Sequence, residues 1–268
     1  MIPHLEAFDR IKEWTDLANW LQKTAKILEA NPTKLLPKKK LLAKRLSQCL
    51  NDSLPIGIHR TALNIYVIIF EQIKVDRELL CKDIAIYSFG LFPFFPKSSI
   101  QIKPEIIEIF RKYYLILEIE MIPMLTGFVS CLLPGLEEQD ETLQRQIIDL
   151  LNDVNTMVGD KFFLSTIWFV LLKNSKNRSA CFKILNRKFG ESITTKSLLI
   201  DHNYNLTEDQ KSNSLLLKVL SEVKMSNNHP GRFFPSSWTV INGICKCLED
   251  DEVVTKKNCL DFMSKHVE

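Results

Sequence analysis

Apolar residues recur every three, four or seven positions along most of the chain, the spacing that lines one face of a helix. From Leu5 to Leu28 the stripe is Phe8, Ile11, Trp14, Leu17, Leu21 and Leu28. Asn31-Pro32 stops it, because a residue before proline is pushed out of the α region. Pro37 suits the first turn of the next helix, where a missing N–H does no harm. That helix carries Leu41, Leu42, Leu46, Cys49 and Leu50 on one side, and Asn51 to Gly57 reads as a turn. A helix over 58–74 follows, with Ala62, Ile65, Tyr66, Ile69 and Ile73 facing inward. Val67-Ile68-Ile69-Phe70 could pass for a strand, but it sits inside this longer helical pattern, and length decides.

The same spacing predicts a helix over 76–92 ending near Pro93 and Pro96. Another opens at Pro104 with Ile106, Ile109, Phe110 and Tyr113 inward. Residues 115–133 are so apolar that burial on several sides is expected, with Pro134-Gly135 closing them. Helices over 143–158, 162–172 and 179–189 come next. The stretch 190–206 turns polar and reads as a loop. Thr207 and Gln210 have the spacing of a capping box for a helix through about Val223. A second loop at 226–235 precedes two last helices over 236–248 and 251–263. The sum is about eleven or twelve helices, recurring in pairs about every 35–45 residues. The fold expected is all-α: an α-solenoid of stacked antiparallel helix pairs, armadillo- or HEAT-like, as one domain over 1–268. A globular helical bundle is the competing architecture. A pair cannot bury its apolar face alone, so stacking supplies the core.

Composition narrows this further. With 268 residues and 46% hydrophobic content the chain can bury a sizeable core. Only 8 residues are glycine, which argues against turn-rich β architecture and phosphate-cradling loops. Seven scattered cysteines, an odd number, read as reduced core thiols and place the chain in the cytosol. The start Met1-Ile2-Pro3-His4-Leu5-Glu6 lacks the apolar core of a signal peptide. The longest apolar run, Ile84 to Phe95, is broken by Ser88, Gly90 and Pro93, short of the ~20 residues that span a bilayer. Membrane contact is therefore expected to be peripheral. The N-x-S/T triplets at Asn51, Asn177 and Asn205 are idle in a cytosolic chain.

No catalytic constellation emerges. None of the 5 histidines lies in a recognisable nucleophile–base motif. Cys245 and Cys247 are two apart, the wrong spacing for a zinc pair, and point apart on a helix. Phosphate-binding glycine motifs are absent. The acidic run Glu137-Glu138-Gln139-Asp140-Glu141 precedes a helix, whose N-terminal dipole favours negative charge. The expectation is no enzyme, no cofactor and no metal. Net charge is +3, too small to imply nucleic acid by itself. The distribution is more telling. Lys34, Lys38, Lys39, Lys40, Lys44 and Arg45 are clustered, with no acidic residue between Ala30 and Asn51. Such a cluster fits a solvated helix face, an anionic lipid surface or an acidic protein face. It lacks the aromatics that stack on bases.

Several motifs, in order, resemble the N-terminal domain of the Dopey family. They are Leu36-Pro37-Lys38-Lys39-Lys40-Leu41, Lys44-Arg45-Leu46, Gln48-Cys49-Leu50, Leu54-Pro55, Gly57, His59-Arg60 and Ala62-Leu63. Asp83, Tyr87-Ser88 and Gly90-Leu91-Phe92-Pro93 continue the series, followed by Leu132-Leu133-Pro134-Gly135-Leu136-Glu137-Glu138 and Leu185-Asn186-Arg187-Lys188. Trp14 with Asp16-Leu17 fits the opening helix, and Cys245 to Asp251 resumes the match. The resemblance implies a cytoplasmic, non-enzymatic scaffold, peripheral at Golgi, trans-Golgi network and endosome membranes and acting in vesicular traffic. It implies a large scaffold protein related to ARF exchange factors as partner, with an aminophospholipid flippase and a phosphoinositide surface as further ones. Within the matched motifs Lys38, Lys39, Lys40, Lys44, Arg45, His59 and Arg60 are the candidate contacts to lipid or partner. The alternative function is a phosphoinositide-reading module using the basic helix 38–45.

Overall fold

The computed structural model describes residues 2–11, 13–32, 36–192 and 237–266. These residues are all-α, with no strand among them. They form twelve α-helices: α1 Ile2–Glu6, α2 Trp14–Ala30, α3 Lys39–Cys49, α4 Ile56–Ile73, α5 Arg77–Phe94, α6 Lys103–Tyr113, α7 Leu125–Leu132, α8 Glu141–Val158, α9 Asp160–Lys173, α10 Arg178–Ser192, α11 Ser237–Leu248 and α12 Val253–His266. The chain divides into two compact units, Met1–Met157 and Val158–Glu268.

In the first unit helices two apart in sequence pack side by side and run the same way. Gln72 Nε2 donates to the Leu28 carbonyl at 2.9 Å, joining the last turns of α2 and α4. Arg60 meets Glu105 at 2.7 Å at one end of α4 and α6, and Glu71 accepts from Tyr113 Oη at 2.6 Å at the other. Between α6 and α8, Lys103 pairs with Glu138 at 2.5 Å and Arg111 Nη2 donates to the Gln146 carbonyl at 3.3 Å. Thus α2, α4, α6 and α8 form one layer. In the other, α3 lies along α5, and α5 along α7. Parallel neighbours two apart require the helix between them to run back, so consecutive helices are antiparallel. This is the expected α-solenoid packing.

The pleat of inward residues on α4 holds as the spacing predicts: Ala62, Ile65, Tyr66, Ile69 and Ile73 are fully buried. Rings fill the space between the layers. Phe110 lies 4.9 Å from Phe128 and 5.1 Å from Tyr114, whose hydroxyl shares a 2.8 Å hydrogen bond with Ser88 Oγ. The second unit repeats the logic. There α9 packs on α11 and α10 on α12 around Trp168, Phe182 and Phe262, with ring centroids 5.6–6.5 Å apart.

Several expectations are corrected. The opening stripe is not one helix: α1 passes through a 3-10 turn, Ala7–Arg10, Ile11 is extended, and Trp14 is 57% exposed. Pro37 lies ahead of α3 rather than in its first turn, and Lys38 takes a left-handed conformation there (φ 53°, ψ 38°). Pro93 sits inside α5, which runs to Phe94. Residues 115–133 are not one buried segment: Leu115–Met124 is a 3-10 stretch that breaks at Glu118 (φ 53°, ψ −128°), and Ile116 and Ile119 on either side are exposed. A non-glycine residue in that region carries strain of about 1–3 kcal/mol. Arg77 braces it, with Nη2 at 2.8 Å from both Glu118 and Glu120 and at 3.3 Å from the Leu117 carbonyl. The helix α10 extends through Ser192; the rest of the loop expected over 190–206, the helix over 207–223 and the loop over 226–235 lie outside the described residues.

Two stretches, Arg77–Lys97 and Leu115–Glu137, are long and apolar enough by length and composition to cross a membrane. Both serve as packing elements of the first unit. The first turns Asp83 inward against Lys39, and the second is broken at Glu118.

The ring of charge at the end of α4 gives a pH prediction. Glu71 accepts from Lys112 at 2.6 Å, Lys74 at 2.5 Å and Tyr113 at 2.6 Å. These hydrogen bonds, Lys112 first, hold its pKa at about 2 against an ordinary 4.5. Stability from this carboxylate is present above pH 4.5 and is lost as pH falls toward 2. The cluster is partly solvated, so about 1 kcal/mol is at stake. Urea titrations of Glu71→Gln should show a shallower loss of stability across that window. An acid limb identical to wild type would show the cluster contributes nothing.

Candidate functional site

The basic helix and its surroundings are built by α3 and the segments around it. Without a nearby acidic residue in sequence, its charges find partners far along the chain. Lys38 pairs with Glu6 at 2.7 Å, Lys39 with buried Asp83 at 2.5 Å, and Arg45 with Asp9 at 2.6 Å. Arg45 is itself buried; its guanidinium also donates to Gln48 at 3.1 Å and lies 4.9 Å from the centre of the Phe8 ring. Asp83 and Arg45 are buried charges whose partners are costly to remove, so those two contacts hold α3 in place. Lys40 and Lys44 remain exposed and make no ion pair among the described residues.

His59 and Arg60 part company with that group. His59 is buried at the start of α4; its Nε2 is 2.7 Å from the Asn51 carbonyl, and its ring meets Phe94 edge-on at 4.8 Å. That contact pins the turn before α4. Arg60 is exposed and tied to Glu105 on α6. The geometry therefore brings Lys39, Lys40, Lys44 and Arg45 together on α3 with Lys38 at its N-cap, and leaves Lys40 and Lys44 as the unpaired cations presented outward.

A residue the sequence reading passed over stands beside them. Phe89 on α5 is 83% exposed. It lies out of phase with the buried positions Leu80, Ile84, Tyr87 and Leu91 of that helix, and this was the available signal. Gly90 next to it lets α3 come close: a Cβ there would stand 3.0 Å from Ser47 Cβ and 3.2 Å from Ser47 Cα.

Elsewhere His4, the buried cysteines and Asp140 serve the packing and capping of helices. His4 Nε2 is 2.8 Å from Thr24 Oγ1, its ring stacks on Trp20 at 5.2 Å, and burial lowers its pKa. Burial pushes the thiols of Cys49, Cys247 and Cys259 up to about 12, which suppresses the thiolate a nucleophile needs. The acidic run caps α8 as the dipole argument predicts: Asp140 Oδ1 accepts from the Thr142 and Leu143 amides at 2.8 and 3.1 Å. Among the described residues no group of three or more His, Cys, Asp or Glu is placed to hold a metal ion.

Comparison with known proteins gives one consistent answer. The family model described as "Dopey, N-terminal" matches residues 2–268. Protein DOP1B of Xenopus laevis is 33% identical over 260 residues, covering 97% of this chain and 10% of the relative. Protein DOP1B of Mus musculus is 35% identical over 215 residues, covering 79% and 9%. Protein DOP1 of Saccharomyces cerevisiae is 26% identical over 278 residues, covering 97% and 16%. The chain thus spans only 9–16% of the length of these relatives. No solved structure matches it.

Proposed function

The chain belongs to the Dopey family, over that family's N-terminal domain, and on that premise we propose that it is a non-enzymatic scaffold in vesicular traffic that works by binding protein partners. The carrying observation is the family match over residues 2–268, on helix pairs joined by ion pairs such as Lys39–Asp83 and Lys103–Glu138. Stacked helix pairs present a rigid surface on which a partner helix or extended segment can dock.

The proposed partner is the large scaffold related to ARF exchange factors, with an aminophospholipid flippase reached through the same assembly. The proposed place of action is the cytoplasmic side of Golgi and endosome membranes. A phosphoinositide-reading role is less well supported, since Lys38, Lys39 and Arg45 are already paired within the protein.

Size-exclusion chromatography of the chain with the purified ARF-exchange-factor-related scaffold of the same organism tests the reading. A stoichiometric complex with a Kd of about 1 μM or tighter is expected. Separate elution at concentrations roughly tenfold higher would count against the partner, and loss of the complex on deleting this domain from the full-length relative would support it.

A further inference from the structure

We propose that the outward face shared by α3 and α5, carrying Lys40, Lys44 and Phe89, docks an acidic protein segment that bears an apolar anchor residue. This rests on the reading that the chain acts by binding protein partners, and it names the surface and the chemistry of what binds.

The two helices are parallel and in known register. Lys39 on α3 meets Asp83 on α5, and Ser47 faces Gly90. At about 100° per residue, Lys40 and Lys44 are turned to one side of the contact line on α3. Phe89 and Pro93 are turned the opposite way on α5, which for parallel neighbours is the same side of the layer. The register also sets their height. Lys44 lies level with Tyr87, so Phe89 is about 3 Å further along, one helix spacing away. The Ser47–Gly90 approach makes that spacing short.

The face has three complementary features. Its two lysines have no carboxylate partner among the described residues, unlike Lys38, Lys39 and Arg45 beside them. The remaining cation on this side, Lys82, is bound to Glu78 and adds no net charge. Phe89 is the most exposed large apolar side chain among the described residues, where an aromatic without cover is the feature that anchors interfaces. Pro93 within α5 has no N–H to give the Phe89 carbonyl, which leaves a backbone acceptor beside the ring. Carboxylates for the lysines, an apolar side chain against the ring and a donor for the carbonyl describe one acidic peptide. Headgroup-binding surfaces gather roughly 4–8 cations, and two free lysines fall short of that.

The test is to pan a displayed library of random peptides against the 268-residue chain and against a Lys40→Glu/Lys44→Glu variant and a Phe89→Ser variant. Circular dichroism and melting check that each variant is folded. The enriched peptides are then synthesised and titrated by fluorescence anisotropy at two salt concentrations. The expected result is acidic peptides with one apolar residue, bound at least about tenfold more weakly by each folded variant and more weakly at high salt. Peptides that bind wild type and both variants equally would overturn this face while leaving the scaffold reading standing. Absence of any enriched peptide would count against both. Sedimentation of wild type, but not the variants, with phosphatidylcholine–phosphatidylserine vesicles and without peptide binding would assign the face to a membrane and overturn the proposal.

Discussion

Gly90→Ala is expected to destabilise the first unit by about 3 kcal/mol, a fall in Tm of roughly 6–12 °C for a unit of this size. The position has no room for a methyl group. An added Cβ would stand 2.3 Å from the Tyr66 hydroxyl and 3.0–3.2 Å from Cβ and Cα of Ser47. The Ser47 contact involves backbone, so α3 and α5 would have to separate. Tyr66 cannot swing aside, because it is fully buried with Phe70 and Tyr87 rings 6.1 Å from it. Its hydroxyl has no hydrogen-bond partner among the described residues. Tyr66→Phe alone should therefore be neutral or stabilising, since it removes a buried polar group that pairs with nothing. The double variant should recover part of the loss, because one of the two clashes is gone. Thermal melts of the four proteins decide the matter. Equal losses in Gly90→Ala with and without Tyr66→Phe would show that the helix–helix contact alone carries the cost.

In the second unit the largest effect is expected from Arg178→Met, about 3–4 kcal/mol. This guanidinium joins most of the unit. Its Nε donates to the Leu171 carbonyl at 3.1 Å near the end of α9, and Nη1 donates to the Lys246 carbonyl of α11 at 3.3 Å. Nη1 also pairs with Asp250, whose other oxygen accepts from the Glu252 amide at 2.9 Å just before α12. Both side chains of the pair have little exposure, so removing the arginine takes from the carboxylate its hydrogen-bonded cation. Asp250→Asn should cost less, since the two carbonyl contacts survive. Hydrogen exchange would locate the damage, with faster exchange expected in α11 and α12. Arg178→Met melting within about a degree of wild type would show that the cluster is not a structural centre.

Where apolar positions keep strict helical phase, the sequence was a sufficient guide. The inward residues of α4 and α6, the layered helix pairs and the cap at Asp140 all follow from spacing and terminus chemistry. Two kinds of feature were hidden. Periodicity carries across a break, so Ile11 in extended conformation did not interrupt the stripe that included exposed Trp14. Apolar residues at nearly every position leave a segment without clear phase, so the break at Glu118 was hidden in residues 115–133 although Glu118 and Glu120 interrupt them. The candidate site was half legible for a related reason. A run of lysines without nearby acids looks free in sequence. The carboxylates that neutralise Lys38, Lys39 and Arg45 lie 32, 44 and 36 residues away. Only packing reveals which cations are left over, and that the aromatic beside them is Phe89. The family resemblance was legible from Trp14 to Lys188 and again from Cys245 to Asp251, and the family model extends the match across 2–268.

The layering of the first unit also bears on how the chain is made. The contacts that join one helix pair to the next within each layer span 44 residues at Leu28–Gln72 and Lys39–Asp83, 45 at Arg60–Glu105 and 42 at Glu71–Tyr113. Every helix pair therefore waits only for the next one, and the entropy of closing loops of such similar length is nearly the same each time. At ribosomal rates of about 5–20 residues per second, a new pair emerges roughly every 2–9 s, far longer than helices and loops need to form. Each pair can dock on its predecessor before the next leaves the exit tunnel. Apolar faces are then covered in the order of synthesis, and the nascent chain exposes at most one unstacked helix pair at a time.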